Sequence, residues 1–266
     1  MEKAVEYGLA HRSTACTYNH LSIDEKSVHG REFCSILYTD TGLVLDVAAG
    51  RKEEDAKALI NKALNKTQQS NVLTISMDMW ENFIDAAHEL LPKAAICHDK
   101  FHLVKYLNAA VDDVRRRDVK HFKELKRTRY LFLKDKMNFT DVQHARFERI
   151  TKANYEVARA WHIKEDFRDI LRETHGRGEA LTLISMWMSR AKKSQIPEIV
   201  KVAEMFDRHL HGVINAVTLG FNNGRDERVN GIKTIGRGYP TVKHFRTAIL
   251  FFHGGLTLHK PIINSH

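Results

Sequence analysis

The spacing of apolar residues changes near Phe101, and this change limits the folds open to the chain more than any other feature. Before it, short apolar runs bounded by turn residues alternate with stretches of helical spacing, such as Ala56, Leu59 and Ile60 on one helix face. The predicted elements are, in order, strands over 21–27, 32–40 and 42–50, a helix over 52–64, a strand over 71–78, a helix over 81–92 and a strand over 94–97. The first part of the chain therefore predicts a sheet with helices packed on it.

This order of elements predicts an α/β protein with a mixed sheet. The first three strands follow one another closely enough to be antiparallel, whereas the last two are each preceded by a helix that makes a crossover connection. It is the order of a ribonuclease H-like core. We therefore predict a ribonuclease H-like mixed sheet flanked by helices, with a large all-helical insertion.

The insertion is predicted from residues 103 to about 215, where apolar residues keep helical spacing throughout. Thr140 and Gln143 make a capping box for a helix that we expect to run through about Ala160, and Pro197 is expected to begin another. A final amphipathic helix follows a polar, glycine-rich segment and should end at two glycines. Its predicted apolar face consists of Val242, Phe245, Ile249 and Phe252.

The charge of the chain is unevenly distributed. The formal net charge is +9, and residues 1–104 carry 11 basic and 15 acidic side chains while residues 105–266 carry 31 basic and 18 acidic ones. Clustered Lys and Arg attract phosphate backbones at long range. The basic second part therefore predicts a polyanionic partner.

The composition excludes several other classes of protein. With 43% hydrophobic and 28% charged residues, the chain is neither a disordered tail nor a collagen-like fibre, and it has no run of about 20 apolar residues that would cross a membrane. Cys16, Cys34 and Cys97 form no CxxC pair, which indicates a reducing compartment. We expect no membrane partner and a location in the cytoplasm.

Two aspartates occupy strand positions that are normally apolar. Asp24 lies in the middle of the first predicted strand and Asp78 lies at the end of the fourth. If these strands are neighbours, the carboxylates meet, and like charges so close to each other favour a divalent cation such as Mg²⁺ or Mn²⁺. The alternative is that each aspartate merely ends a strand or caps the next helix.

Several motifs in the same order give the chain a family resemblance. They are SIDEKS with Asp24, SMDMW with Asp78, CHDKFHLVKYLNAAVDDVRR, RYLFLKDKMNFTDVQHARF and NGRDERVNGIK. Together they resemble the catalytic region of insertion-sequence transposases of the family designated ISL-three, over residues 1 to 258.

The resemblance implies a DDE transposase, which cleaves and transfers DNA strands with Mg²⁺ or Mn²⁺ held by three acidic residues. Asp24 and Asp78 match the first two acids, and Glu227 matches the third within a pattern that includes Asn223 and Asn230. The implied partners are the transposon ends, the target DNA and further copies of the chain assembled on DNA.

The resemblance also implies a division of the chain. Residues 1–20 would be a connector, residues 21–102 and 219–258 the catalytic core, and residues 103–218 the helical insertion. The zinc-binding and helix-turn-helix modules that normally precede this region in the family are not recognisable here. An alternative is therefore a truncated, inactive transposase remnant that binds DNA or a full-length transposase.

The sequence HDKFH suggests a competing site. His98 and His102 are four residues apart, as are the zinc ligands of zincin helices, but Asp99 stands where zincins have glutamate and His98 is expected at a strand end. Within the resembling family, Asp99 and His102 would support the active site or touch DNA. The alternative role of Asp99 is to cap the next helix.

Basic residues near Glu227 are candidates for phosphate contacts, with solvated surface as the alternative. These candidates are Arg225, Arg228, Lys233, Arg237 and Lys243. The run 115–117 of three arginines is expected to be an exposed helix face. The three tryptophans, Trp80, Trp161 and Trp187, are expected in the core, with base stacking as the alternative.

Overall fold

A computed structural model describes residues 1–28, 32–153, 155–174, 176–219 and 238–258. Packing divides the chain into two compact units. The sheet unit comprises Met1–Ile96 and Phe221–His266, and the helical unit comprises Cys97–Gly220. The division falls inside the fifth strand of the sheet.

Five strands of the described residues form one mixed sheet in the order β3-β2-β1-β4-β5. The strands are β1 His20–Val28, β2 Glu32–Thr39, β3 Val44–Ala49, β4 Thr74–Met77 and β5 Ala95–His98. β2 is antiparallel to both β1 and β3, whereas β4 is parallel to β1. Gly42 allows the tight turn between β2 and β3 because its φ of 80° is a left-handed conformation that favours glycine. The mixed α/β class predicted from the sequence is confirmed.

The sheet unit has an apolar cluster on each face of its sheet, because successive strand residues point to opposite sides. Its helices are α1 Glu2–Ala10, α2 Glu53–Ala63, α3 Lys66–Asn71, α4 Glu81–Leu90 and a last helix, Val242–His253. Leu21 and Ile23 of β1 pack with α2 and α4, whereas Val28 joins the cluster that contains Phe245 and Ile249 of the last helix.

Some predictions for the sheet unit are wrong. No helix was predicted within residues 1–20, but α1 occupies almost half of that range, and α3 was not predicted either. Phe252, predicted on the apolar face of the last helix, is 61% exposed. Helical spacing places it near Phe245 and Ile249, but the last turn of the helix contributes Leu250 and Phe251 to the cluster that buries those two residues instead.

The helical unit contains the helices that follow β5 as far as Thr218. Its helices are α5 Lys100–Asp118, α6 Arg129–Leu133, α7 Asp141–Lys152, α8 Glu156–Glu173, α9 Arg177–Lys193, α10 Pro197–Arg208 and α11 Leu210–Thr218, so the helix Val242–His253 of the sheet unit is α12. Thr140 caps α7, since its Oγ1 accepts from Gln143 N at 3.3 Å, and Pro197 opens α10. The predicted continuation of the helix to Ala160 is wrong, because α7 ends at Lys152 and a separate helix follows. No helix in the described ranges is both long and apolar enough to span a membrane.

Candidate active site

The register between β1 and β4 places two acidic residues at equivalent positions of neighbouring strands. Leu21 pairs with Ile75 and Ser22 pairs with Ser76. Continuing that parallel register by two residues sets Asp24 opposite Asp78, which directly follows the last residue of β4. Neighbouring strands lie about 4.8 Å apart, so the two acids follow, by two residues each, backbone positions that are adjacent at Ser22 and Ser76.

Both carboxylates are oriented by the backbone that follows them. Asp24 is only 8% exposed, and its Oδ1 accepts a hydrogen bond from the N–H of Glu25 at 2.8 Å. Asp78 is half-buried, and its Oδ1 accepts from the N–H of Met79 at 2.7 Å. Each bond restricts the rotation of its side chain, so both carboxylates are held close to their own strands.

This pair has the donor chemistry that Mg²⁺ and Mn²⁺ prefer, because carboxylate oxygens are hard ligands. Within the described ranges, no group of three or more His, Cys, Asp or Glu residues is placed to hold a metal ion. The predicted third ligand, Glu227, lies outside the residues that the structure describes, and so do Arg225, Arg228, Lys233 and Arg237.

Lys243 is the one proposed phosphate contact inside the described part of the chain, and it has a protein partner. It lies in the first turn of α12, where its Nζ is 2.6 Å from Oε1 of Glu2 on α1. Its side chain is 71% exposed. An anion in solution could therefore still reach the ammonium group, but it would compete with a carboxylate.

Comparison with known proteins identifies the family that these features belong to. The profile of the transposase family DDE_Tnp_ISL3 matches residues 21–249. The chain belongs to this transposase family. No solved structure gives a significant match.

Two relatives show how much of a transposase the chain corresponds to. The chain is 25% identical over 240 residues to the transposase for insertion sequence element IS1557 of Mycobacterium tuberculosis, which covers 79% of this chain and 53% of the relative. It is 24% identical over 240 residues to the transposase for insertion sequence element IS1001 of Bordetella parapertussis, covering 85% and 59%. The transposase chain thus spans about half the length of these curated relatives.

The HDKFH segment has a structural role within the helical unit of this transposase. Asp99 is the N-cap of α5, and its Oδ1 accepts from the N–H of Phe101 at 2.8 Å. His98 ends β5 and is buried, with its ring 5.4 Å from the ring of His209. Since α5 begins after Asp99, His98 and His102 do not share a helix, and the zincin geometry is absent from this described segment.

The three arginines of the run on α5 form ion pairs with carboxylates, so the prediction of a simple exposed helix face is wrong for most of the run. Arg115 and Arg116 pair with Asp112 at 2.7 and 2.9 Å. Arg117 lies 2.6 Å from Glu198 of α10 and also pairs with Glu156 of α8. Arg117 therefore connects three helices, and only Arg116, with a side chain 61% exposed, fits the prediction.

The three tryptophans divide between core and surface. Trp161 and Trp187 are 4% and 3% exposed, so the predicted core position is confirmed for both. Trp80 is 41% exposed, so for this residue the prediction is wrong. It lies two residues after Asp78, at the amino end of α4.

Two groups of charged residues in the sheet unit were not predicted from the sequence. In one group, the Arg246 guanidinium of α12 donates to both oxygens of Asp46 on β3, at 2.6 and 3.2 Å. In the other, Arg51 pairs with Glu25 at 3.2 Å. An acid within the apolar run VLDVAA was the available signal for Asp46, but nothing in the sequence indicated the partner 200 residues away.

Proposed function

We propose that this chain is the catalytic region of a DDE transposase, which cleaves DNA strands and joins them to a target during transposition of an insertion sequence. The observation that carries the proposal is that Asp24 on β1 and Asp78 directly after β4 each lie two residues beyond the paired residues Ser22 and Ser76 of these parallel strands, in a transposase family member. The strand order β3-β2-β1-β4-β5, with only β2 antiparallel to its neighbours among the register-defined pairs, supports a ribonuclease H-like core.

In this proposal, the metal ion, Mg²⁺ or Mn²⁺, is held by carboxylate oxygens of Asp24, Asp78 and Glu227. When bound, the metal ions would activate a water or a DNA 3′-hydroxyl and stabilise the leaving oxygen of an in-line displacement. The protein's own contribution is positional. Backbone N–H groups of Glu25 and Met79 orient the two aspartates before any ligand arrives, which reduces the reorganisation needed at the moment of reaction.

The proposed division of labour follows the order of elements along the chain. Residues 21–102 and 219–258 would form the catalytic core, residues 103–218 the helical insertion, and residues 1–20 the connector. DNA would be bound with the help of Arg225, Arg228, Lys233, Arg237 and Lys243. Asp99 and His102 would support the active site or touch DNA. We also propose that the protein works in the bacterial cytosol, on the nucleoid, as several copies on one DNA.

A cleavage assay on linear DNA tests the proposed site. Asp24→Asn, Asp78→Asn and Glu227→Gln keep the size of each side chain while removing its charge. In Mg²⁺ or Mn²⁺, each variant should lose at least about 100-fold in cleavage rate, since the loss of a metal ligand removes several kcal/mol of transition-state stabilisation. Asp85→Asn is the matched control, because Asp85 is an exposed acid of the same unit and should leave the rate unchanged.

Direct metal binding gives a second readout. Titration with Mn²⁺, followed by its paramagnetic resonance signal, should show weaker binding in Asp24→Asn and Asp78→Asn than in the wild type and Asp85→Asn. A cleavage rate equal to that of the wild type in all three active-site variants would reject the assigned ligands. Absence of cleavage in every form, with DNA binding intact, would instead favour an inactive remnant.

A further inference from the structure

Lys26 lies two residues after Asp24 on the same face of β1. Successive strand residues point to opposite sides of a sheet, so Asp24, Lys26 and Val28 share one face and Ile23 lies on the other. Val28 belongs to the apolar cluster that contains Phe245 of α12, whereas Ile23 packs with α2 and α4. Asp24 and Lys26 therefore both lie on the face against which α12 packs.

The contacts of the Lys26 ammonium group are made on this face. Its Nζ is buried and lies 5.4 Å from the centroid of the Phe245 ring, a distance at which a cation is attracted to an aromatic face. Cys34 of β2 is directly opposite Lys26 in the antiparallel register, and burial raises the pKa of its thiol to about 12. The charge of Lys26 acts to lower this pKa, whereas the charges of Asp24 and Glu25 act to raise it. One buried thiol thus experiences the ammonium group and the Asp24 carboxylate together.

Strand geometry limits the distance between Lys26 and Asp24. A strand rises about 3.3 Å per residue, so the Cα atoms of these two residues are roughly 7 Å apart. The ammonium group would repel a divalent cation held by Asp24, and salt screens buried charges much less than exposed ones. Lys26 is therefore unfavourable for metal binding alone. A DNA phosphate at the same place would reverse this effect, because it brings negative charge to the site.

The other face of β1 carries a cation in a different environment. Glu25 lies on that face and pairs with Arg51 at 3.2 Å, with side chains 34% and 39% exposed. Water screens such a pair, and the sheet separates it from the face that carries Asp24. Arg51 therefore has the same formal charge as Lys26 and a position near the same strand, but on the opposite side of the sheet.

We propose that Lys26 is a further residue of the DNA-processing site, where its ammonium group offsets the negative charge of a DNA phosphate placed beside Asp24. This inference rests on the proposed function. Because its Nζ is buried, Lys26 would act through the field of its charge and not by contact with DNA. A fixed charge of this kind stabilises negative charge that develops in a transition state, and no reorganisation is needed at the moment of reaction.

Titration with Mn²⁺ in the absence of DNA tests the proposal by the direction of the change. Lys26→Met removes the charge and keeps an unbranched side chain, so it should bind Mn²⁺ about three- to tenfold more tightly than the wild type. Lys26→Arg keeps the charge and should bind Mn²⁺ as the wild type does. Arg51→Met is the matched control from the opposite face, and it should change the affinity by less than about twofold. A purely structural role of Lys26 predicts weaker or unchanged binding in Lys26→Met, and either result would overturn the proposal.

The cleavage rate should change in the opposite direction. With saturating Mn²⁺ and linear DNA, Lys26→Met should lose about tenfold or more in kcat with little change in KM, since the charge acts mainly on the transition state. Lys26→Arg should recover most of this loss. Cleavage by Lys26→Met at the wild-type rate would overturn the proposal.

Nuclear magnetic resonance provides a measurement that does not depend on the folding of Lys26→Met. Lysines of the wild type are labelled with ¹³C at Cε, and arginine variants of Lys26 and Lys57 assign the two signals. Mn²⁺ bound at Asp24 should broaden the Lys26 signal more strongly than the Lys57 signal. Lys57 pairs with Glu53 and Glu89 of the helices α2 and α4, which pack on the opposite face of the sheet. Equal broadening of the two signals would contradict the proposed position of Lys26.

The possible failures can be told apart. If Asp24→Asn weakens Mn²⁺ binding but Lys26→Met does not strengthen it, only the proposal for Lys26 is wrong. If Asp24→Asn leaves Mn²⁺ binding unchanged, the proposed metal site is wrong, and the role of Lys26 is rejected with it.

Discussion

The helical unit and the sheet unit use their charged residues in different ways. In the helical unit, Arg117 connects α5, α8 and α10 through Glu156 and Glu198, so a basic run serves to hold helices together. In the sheet unit, Asp24 and Asp78 each follow a paired residue of the parallel strands β1 and β4 by two positions. A cluster of like charges in the sequence therefore says little about a binding site until its partners are known, whereas isolated acids in strands can mark one.

Removing the buried ion pair of the sheet unit should have the largest effect on stability. Asp46 is 2% exposed and accepts two hydrogen bonds from Arg246. Asp46→Ala leaves the partly buried Arg246 without this carboxylate, and we expect the free energy of unfolding to fall by roughly 3 kcal/mol or more. Urea denaturation of the chain measures this change.

Lys62→Ala is the matched control for that prediction. The Lys62 Nζ also lies 3.2 Å from Asp46, but its side chain is 62% exposed. Its removal should therefore cost less than about 1 kcal/mol, because water screens exposed ion pairs. Similar losses of stability for the two variants would show that Asp46 is not stabilised mainly by Arg246.

A close approach in the helical unit gives the next largest effect. A Cβ atom added to Gly212 of α11 would lie 2.4 Å from Cδ2 of the buried His98 ring, whereas one added to Gly178 of α9 would meet nothing within 4 Å. Gly212→Ala should destabilise the protein by about 2 kcal/mol through overpacking. Gly178→Ala should stabilise it by up to about 1 kcal/mol, since alanine favours helix. Thermal unfolding compares the two, and a stabilising Gly212→Ala would contradict the packing of His98.

The buried lysine of the helical unit predicts a dependence of stability on pH. Lys164 is fully buried on α8, where its Nζ donates to the carbonyl oxygen of Phe132 at 2.7 Å. Desolvation lowers the pKa of Lys164 from 10.5 to about 8, although the neighbouring Glu165 acts to raise it. The unfolded chain therefore binds more protons than the folded chain between about pH 8 and 10.5, and the free energy of unfolding should rise with pH across this window.

Comparison with Lys164→Met isolates this contribution, because other groups titrate in both proteins. From pH 7.5 to 9.5, the wild type should gain on the order of 1–2 kcal/mol relative to the variant. Denaturation curves at the two pH values give the difference. Parallel pH profiles would mean that Lys164 keeps an ordinary pKa in the folded protein.

The arginine run should have the smallest effects. Arg117→Gln should lower the free energy of unfolding by about 1 kcal/mol, because the Arg117 side chain is 37% exposed and solvent screens its ion pairs. Arg116→Gln should change the free energy of unfolding by less than about 0.5 kcal/mol. Neither variant should alter the salt dependence of DNA affinity. The slope of the logarithm of the binding constant against the logarithm of the salt concentration falls by about one only when a cation that binds phosphate is removed. A reduced slope for Arg117→Gln would show that Arg117 contacts a DNA phosphate.

Periodicity predicted most of the elements but not those without an apolar pattern. The helix α3 has the sequence KTQQSN, and its buried residues are Gln68 and Gln69, whose amides donate to the carbonyl oxygens of Cys16 and Leu64. Apolar spacing cannot detect a helix that is packed through hydrogen bonds. The break between α7 and α8 contains neither Pro nor Gly, so the usual stop signals were absent.

The candidate site was predictable only where strand order determines it. Asp24 and Asp78 could be paired from the sequence once β1 and β4 were assumed to be neighbours. The contacts of Arg51 with Phe33 and Trp80 could not be predicted in this way, because these three side chains come from the residues after β3, from β2 and from the amino end of α4. Their contacts depend on tertiary packing, which leaves no periodic trace in the sequence.

The parallel ladder between β1 and β4 also indicates where the gene tolerates changes of length. An extra codon in the turn around Thr41 would lengthen a hairpin and leave the alignment of Asp24 with Asp78 intact. A codon deleted within Thr74–Met77 would shift the second aspartate by one pleat and point it to the opposite side of the sheet.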